Sequence, residues 1–407
     1  MAFGSRFLPL GLLVVLGGCA SEALPTSGTG GAPGSPPDSD QAVAEEVLGV
    51  GKGPGTLVTI YDPSDDDSGR TLVPTALDWN PTVADELWIT LREPPSDRTC
   101  VSGMKTACPW LEGRVAIVHG AAFAPGVAPQ IEMKQDANAW HFMRRPSSLA
   151  FGSDDTFASC GEARTGNYED ESIPFNGPVL WSADPSIFGA EPPADSPTGS
   201  THIDMLHESP YCMGIAHERD NVYWTFNGDA GSLDRYDFHV PHEPGGDDHS
   251  DGAVWRYAAG LLARVPDVPS HLAYDPEATR LYAADTGHGR IVALDIDTGH
   301  DDGLITTYDP IQTHVLMSGA TLSEIVPPGT LAAPTGLTLF RGVLFVTDFE
   351  SSRIVAFDRS GRILATVDTA LPEGSLGGIG IGRDARAYIT ERATGRVLRL
   401  DPAASAP

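Results

Sequence analysis

Three stretches, 281-LYAADTGHGRIVALD-295, 344-LFVTDFESSRIVAFD-358 and 387-AYITERATGRVLRLD-401, follow one plan. Each has an alternating apolar run, an acid, four turn residues, an arginine and a second alternating run. Alternation at period two is the mark of a strand. Two such strands joined by a tight turn set each acid beside its arginine: Asp285 and Arg290, Asp348 and Arg353, Glu391 and Arg396. Reading upstream, each stretch is preceded by a shorter segment of the type proline, two small or polar residues, leucine. These segments are VPTALDW at Val73, RPSSLAF at Arg145, VPSHLAY at Val268 and APTGLTL at Ala333; CMGIAH at Cys212 and LGGIGI at Leu376 fit with the proline replaced. Six units result, starting roughly 40 to 70 residues apart. That is the spacing of propeller blades with variable loops, and it predicts an all-β, six-bladed β-propeller of four-stranded antiparallel blades.

One strand is missing, because nothing strand-like follows Asp401. TLVTIYDP at Thr56 matches GLITTYDP at Gly303, read as the outer strand of blade four, so the N-terminal strand is expected to complete blade six. Such closure removes exposed edges and makes residues 56–407 a single domain. Residues 19–55, with TSGTGGAPGSPPDSD, are Gly-, Pro- and Ser-rich and read as a flexible tether. Residues 1–18 have one basic residue, Arg6, then an apolar run from Phe7 to Leu16 too short for a permanent span, which is the plan of a signal peptide. Leu16-Gly17-Gly18-Cys19 resembles the lipobox of bacterial lipoproteins, which implies lipidation at Cys19, and Ala20 after it implies an outer-membrane address in the cell envelope.

A net charge of −29, from 26 basic and 55 acidic residues, argues against nucleic acid and favours cations. The other four cysteines are Cys100, Cys108, Cys160 and Cys212. In an exported chain two disulfides are expected, although four cysteines allow three pairings. Cys100 and Cys108 make the local pair, which leaves Cys160 and Cys212, placed on neighbouring blades, for each other.

The hydrophobic-Asp-turn-Arg-hydrophobic signature of the last three units resembles the NHL-repeat family of propellers. The resemblance covers the domain in outline and is specific in blades four to six. In blades one to three, Leu91, Cys160 and Phe226 stand where the acid belongs.

On a propeller, the loops entering the innermost strands and the turns between second and third strands share one face, here called upper. His271 takes an inner-strand position held elsewhere by Ala76, Ser148, Gly214, Gly336 and Gly378. The connection STHIDMLHESPYC adds His202, Asp204, His207 and Glu208; WHFMRRPSS adds His141, Arg144 and Arg145; and DTGHGR adds His288. An upper site is therefore expected, with His202, His207 and His271 as metal ligands and His141, Arg144, Arg145 and Glu208 binding a ligand, the arginines through carboxylate or phosphate. The alternative is structural: His271 plugs the channel and the loop histidines are surface residues. On the lower face, DFHVPHEPGGDDHSDG (237–252) with His217 groups His217, His239, His242 and His249 with Asp247 and Asp251, a transition-metal set or a solvated turn. DDHSDG resembles the start of a calcium loop, but no glutamate follows at EF-hand distance.

No GxSxG elbow, P-loop, HExxH or Rossmann glycine set occurs in a convincing context. The peptidyl-hydroxyglycine amidating lyases are six-bladed propellers with a three-histidine zinc centre in Pro-His motifs. The corresponding positions here are Thr75, Ser147, Ser270 and Thr335, with His271 displaced by one residue. The reading is a lipid-anchored, monomeric binding module for a small molecule, peptide or envelope protein, with a divalent metal (zinc, copper, iron or calcium) at one of the histidine groups. A metal-dependent lyase or hydrolase is the alternative, and whether the chain is an enzyme stays open.

Overall fold

The computed structural model describes residues 39–49, 55–66, 68–95, 109–122, 127–167 and 173–403. Blade 1 comprises Val73–Trp79, Glu86–Arg92, Arg114–His119 and Gln130–Lys134, from the axis outward. Blade 2 is Pro146–Phe151, Thr156–Gly161, Val179–Ser182 and His202–Met205; blade 3 is Cys212–Arg219, Val222–Asn227, Ser232–Asp237 and Ala253–Tyr257. Blade 4 is Leu272–Asp275, Arg280–Asp285, Arg290–Asp295 and Thr321–Val326; blade 5 is Pro334–Phe340, Val343–Asp348, Arg353–Phe357 and Ile363–Asp368. Blade 6 has Leu376–Ile381, Ala387–Glu391 and Arg396–Asp401, and its outer strand is Thr56–Tyr61, antiparallel to the last with Thr56 opposite Asp401. The fold is the six-bladed propeller, closed as its repeats require.

The core lies between blades rather than within one. Blades stack face to face, so both faces of most strands are buried, and each apolar cluster is shared by two neighbours. Trp88 of blade 1 packs with Phe157 and Trp181 of blade 2, Ile215 of blade 3 with Leu180 of blade 2, and Ile60 and Tyr61 with Leu77 and Ile89 of blade 1. The repeat acids latch blades together. Asp285 and Asp348 are fully buried and accept backbone N–H groups from the segments entering their blades, Ala263 at 2.9 Å and Ala333 at 2.7 Å. Arg290 reaches Asp285 directly at 2.7 Å, whereas Arg353 reaches Asp348 through Ser351.

Two expectations change. GLITTYDP does not supply blade 4's outer strand, which is Thr321–Val326. His300–Leu304 instead pairs with Thr313–Ser318, and that hairpin lies parallel to Ala253–Tyr257, widening blade 3 to six strands. Local likeness of two strands carries no information about partners, which the neighbouring edge decides. The tether also ends earlier than Gly55. Ser39–Leu48 is a helix whose stripe of Ala44, Val47 and Leu48 is buried against blade 5's outer strand, with Gln41 Nε2 donating to the Leu364 carbonyl at 3.1 Å. Three small or branched apolar side chains on one helical face suffice to dock it.

Cys160 and Cys212 form a disulfide joining blades 2 and 3, with Cα atoms 5.4 Å apart and a sequence separation of 52. Cys19, Cys100 and Cys108 lie outside the described residues. Closing a loop of that length restricts the unfolded chain, so Cys160→Ser with Cys212→Ser is expected to cost about 2–4 kcal/mol, read from denaturant midpoints.

Candidate metal centre

The free edge of blade 2's outer strand carries the site. The loop between blade 3's third and outer strands runs along that edge, where His242 N donates to the Ile203 carbonyl at 3.0 Å and Gly245 N to the His202 carbonyl at 2.8 Å. Gly245 has φ +78°, and a Cβ there would stand 2.5 Å from the Ser200 carbonyl oxygen, so only glycine lets the loop come this close. The result is that His202, His242 and His249 converge, with one ring nitrogen from each lying within 4.8 Å of the others.

Each imidazole is held by its Nδ1. His242 Nδ1 can only donate to the Glu243 carbonyl, at 2.7 Å, and His249 Nδ1 donates to the Asp204 carboxylate at 2.9 Å. His202 Nδ1 lies 2.6 Å from the Ser200 hydroxyl, and its ring stacks on Phe142 with centroids 4.0 Å apart. The Glu243 bond fixes a lone pair on Nε2 of neutral His242; at His202 the Ser200 hydroxyl can donate or accept, and Nε2 is free to ligate when Nδ1 carries the hydrogen. The Nε2 atoms of His202 and His242 are buried without a hydrogen-bond partner. Two buried ring nitrogens left without a partner are costly unless something supplies one. Outer groups that fix tautomer and ring orientation are what an imidazole metal ligand requires.

The electrostatics agree. Burial, then the neighbouring His242 and His249 rings, hold His202 well below the usual imidazole range, so it stays neutral and able to ligate. Burial also lowers His242. At His249 burial opposes protonation, but the hydrogen bond and charge of Asp204 outweigh it and the value is raised. Asp204, itself buried, is pushed up to about 6.

The two expected groupings are thus redrawn. His202 leaves the upper set because residues 202–205 are a strand, not part of a connection, and the histidine that begins it meets the lower loop. His207 is buried elsewhere, stacked on Phe175, with Nδ1 2.9 Å from Asp309 Oδ1 and Nε2 3.4 Å from His141 Nε2. His271 stands at the head of the channel, apart from His202 and His207, donating from Nε2 to the Ser147 carbonyl at 3.2 Å. Of the lower set, His217 turns back to the Asp220 carbonyl, His239 is exposed beside Asp237, and Asp247 and Asp251 are exposed, Asp251 accepting Val240 N–H. They do not join the three-histidine group.

Among the expected ligand binders, Glu208 is buried and raised to about 7, chiefly by burial, while accepting N–H from Tyr308 and Asp309. Arg144 pairs through its backbone with Glu112, and Arg145 pairs with Asp267. His288 joins Asp285 at 2.8 Å. Asp204 and Ser200 as supports, and Asp309 as a partner of His207, were not legible as such.

The channel is built differently from an amidating-lyase centre. Thr75 donates to the Pro146 carbonyl, Ser147 to Cys212 and Thr335 to Pro269, while Ser270 meets the Thr286 hydroxyl at 2.7 Å. The positions that would ligate zinc in that family form a belt of blade-to-blade hydrogen bonds. Below it lies a cavity of about 350 Å³ with His271 at its head and Asp78, Phe151, His217 and Tyr274 farther down.

No protein-family model matches the chain, and no curated protein sequence matches it. Among solved structures, it is similar to an auxiliary nutrient binding protein from Bacteroides ovatus, with a TM-score of 0.51 at 10% identity over 86% of this chain and 77% of that one. It is also similar to a protein of unknown function from Bacteroides thetaiotaomicron (TM-score 0.49, 10% identity, 85% and 76% covered) and to virginiamycin B lyase from Staphylococcus aureus (TM-score 0.45, 12% identity, 86% and 89% covered). At these identities the likeness is one of fold alone.

Proposed function

We propose that this chain is a metal-binding propeller of NHL type, lipid-anchored through Cys19 in the cell envelope, whose His202, His242 and His249 hold a transition-metal ion. The observation that carries the reading is the convergence of one ring nitrogen from each of three histidines, with the Nε2 atoms of His202 and His242 buried and orphaned and every Nδ1 engaged. Three imidazoles, with His249 giving up its proton on ligation, suit zinc, copper or iron; calcium, which takes oxygen ligands, is disfavoured. Three protein ligands leave a position for water or for a group from a bound small molecule, peptide or envelope protein. Binding is the role assigned, on the three-histidine geometry alone.

The test is elemental analysis of the full chain purified without added metal, followed by titration of the stripped protein with zinc and copper ions. One metal per chain is expected. His242→Ala should abolish stoichiometric binding, and Asp204→Asn, which loosens the His249 support, should weaken it about 10–100-fold. His217→Ala should change nothing. A wild-type protein that takes up neither metal, or one whose uptake survives His242→Ala, overturns the reading.

A further inference from the structure

Over the upper mouth of the channel, four arginines from four different blade segments gather around two carboxylates. Arg92 ends blade 1's second strand; Arg145 enters blade 2; Arg264 enters blade 4; and Arg392 follows blade 6's second strand. Arg92, only 1% exposed, spans the mouth: its Nη1 lies 2.9 Å from Glu162 Oε2, and its Nη2 donates to the Asp267 carbonyl at 3.2 Å and stands 3.8 Å from the Asp267 carboxylate. Arg264 takes the other oxygen of Glu162 at 3.0 Å, and Arg145 pairs with Asp267. Two acids therefore serve three arginines. The fourth, Arg392, faces the Phe349 ring with its guanidinium carbon 5.6 Å from the centroid, and among the described residues no carboxylate lies within ion-pair distance of it. The Nε atoms of Arg92, Arg145 and Arg392 are all buried without an acceptor.

In a chain of net charge −29, a local excess of two positive charges is the reverse of what the surface average supplies. A largely desolvated, unpaired guanidinium is costly unless an anion completes it. Burial and the neighbouring Arg92 depress Arg392 to about 10, so it keeps its proton at neutral pH. Arg145, Arg264 and Asp267 remain partly open to solvent, with side chains 29%, 21% and 32% exposed, which leaves a path for a small ligand. Planar guanidinium groups of this kind bind carboxylate and phosphate oxygens in pairs.

We propose that the upper mouth is an anion-binding site in which Arg392 anchors a carboxylate or phosphate group of a small ligand, flanked by Arg145 and Arg264. The site is separate from the three histidines and does not rest on them. Isothermal titration of the full chain at low salt, with inorganic phosphate in one arm and citrate in the other, tests it. Saturable binding of at least one probe is expected, and which probe binds decides between phosphoryl and carboxylate chemistry. Arg392→Gln should weaken that binding by roughly tenfold or more without lowering the melting temperature, because the arginine has no ion pair to lose. Arg145→Gln, a flanking group, should weaken it less, and Arg362→Gln, far away on blade 5, not at all. Absence of saturable binding of both probes by folded wild-type protein overturns the proposal, as does Arg392→Gln binding as tightly as wild type. If Arg392→Gln fails to fold, unchanged affinity in Arg145→Gln overturns it instead.

Discussion

A chain that begins at Asp62 is expected to lose its fold. Starting at Asp62 takes away the outer strand of blade 6, with five paired positions along Arg396–Asp401 and the buried side chains of Ile60 and Tyr61, and with it the docked helix Ser39–Leu48. Each of those side chains contributes about 1.5–3 kcal/mol on burial, and the ladder adds about 0.5–1.5 kcal/mol for each hydrogen bond. The total, on the order of 5 kcal/mol or more, matches the whole stability of many domains. The loss also bares the backbone edge of Arg396–Asp401 and the Leu77 and Ile89 faces that Ile60 and Tyr61 cover, so association of open rings should accompany it. Circular dichroism and sedimentation of the shortened chain check this, and a synthetic peptide covering residues 39–61, which returns both strand and helix, should restore the monomer. A shortened chain that melts with the wild type would show that the ring does not depend on this strand.

The second large effect concerns two groups in one channel with opposite responses to acid. Burial, reinforced by the Arg392 charge and opposed by the Ser147 carbonyl, holds His271 neutral down to about pH 4. The unfolded chain takes up that proton near pH 6.5, so stability falls as pH drops from 6.5 through 4, by about 3 kcal/mol in all. Asp78 behaves inversely. Burial raises it to about 6 despite N–H groups from Phe151 and Trp79 at 2.9 and 2.8 Å. The folded chain takes up this proton before the unfolded one does, so stability rises as pH drops from 6 through 3.8, again by about 3 kcal/mol. The two nearly cancel in the wild type. His271→Gln should therefore gain stability relative to wild type as pH falls from 6.5 to 4, and Asp78→Asn should lose it. Denaturant unfolding at pH 7, 5.5 and 4 reads the difference. Parallel curves for wild type and both variants would refute the account.

What could be read from residues alone was whatever repeats. Period-two alternation, four Pro-x-x-Leu starts with two variants lacking the proline, and the acid–arginine spacing are local patterns, and local patterns determine blades. The disulfide followed because Cys160 and Cys212 occupy defined blade positions. Pairings made by loops were not legible. His202 was grouped wrongly because a four-residue strand inside a long connection has no periodicity to reveal it, and Asp309 reaches His207 from a connection about a hundred residues later. The arginine mouth was missed except for Arg145, because Arg92, Arg264 and Arg392 have no shared motif and meet only where a ring brings distant blades together. The histidines of 237–252 looked equivalent in sequence, and only the approach of that loop to blade 2 separates His242 and His249 from His239.

The docked helix has an orienting consequence. Ser39–Leu48 rests on blade 5, and in a six-membered circle blade 5 stands opposite blade 2, whose rim carries the three imidazoles. A load applied at residue 39 therefore grips the disc by one side and leaves the three-histidine rim at the far end of a diameter.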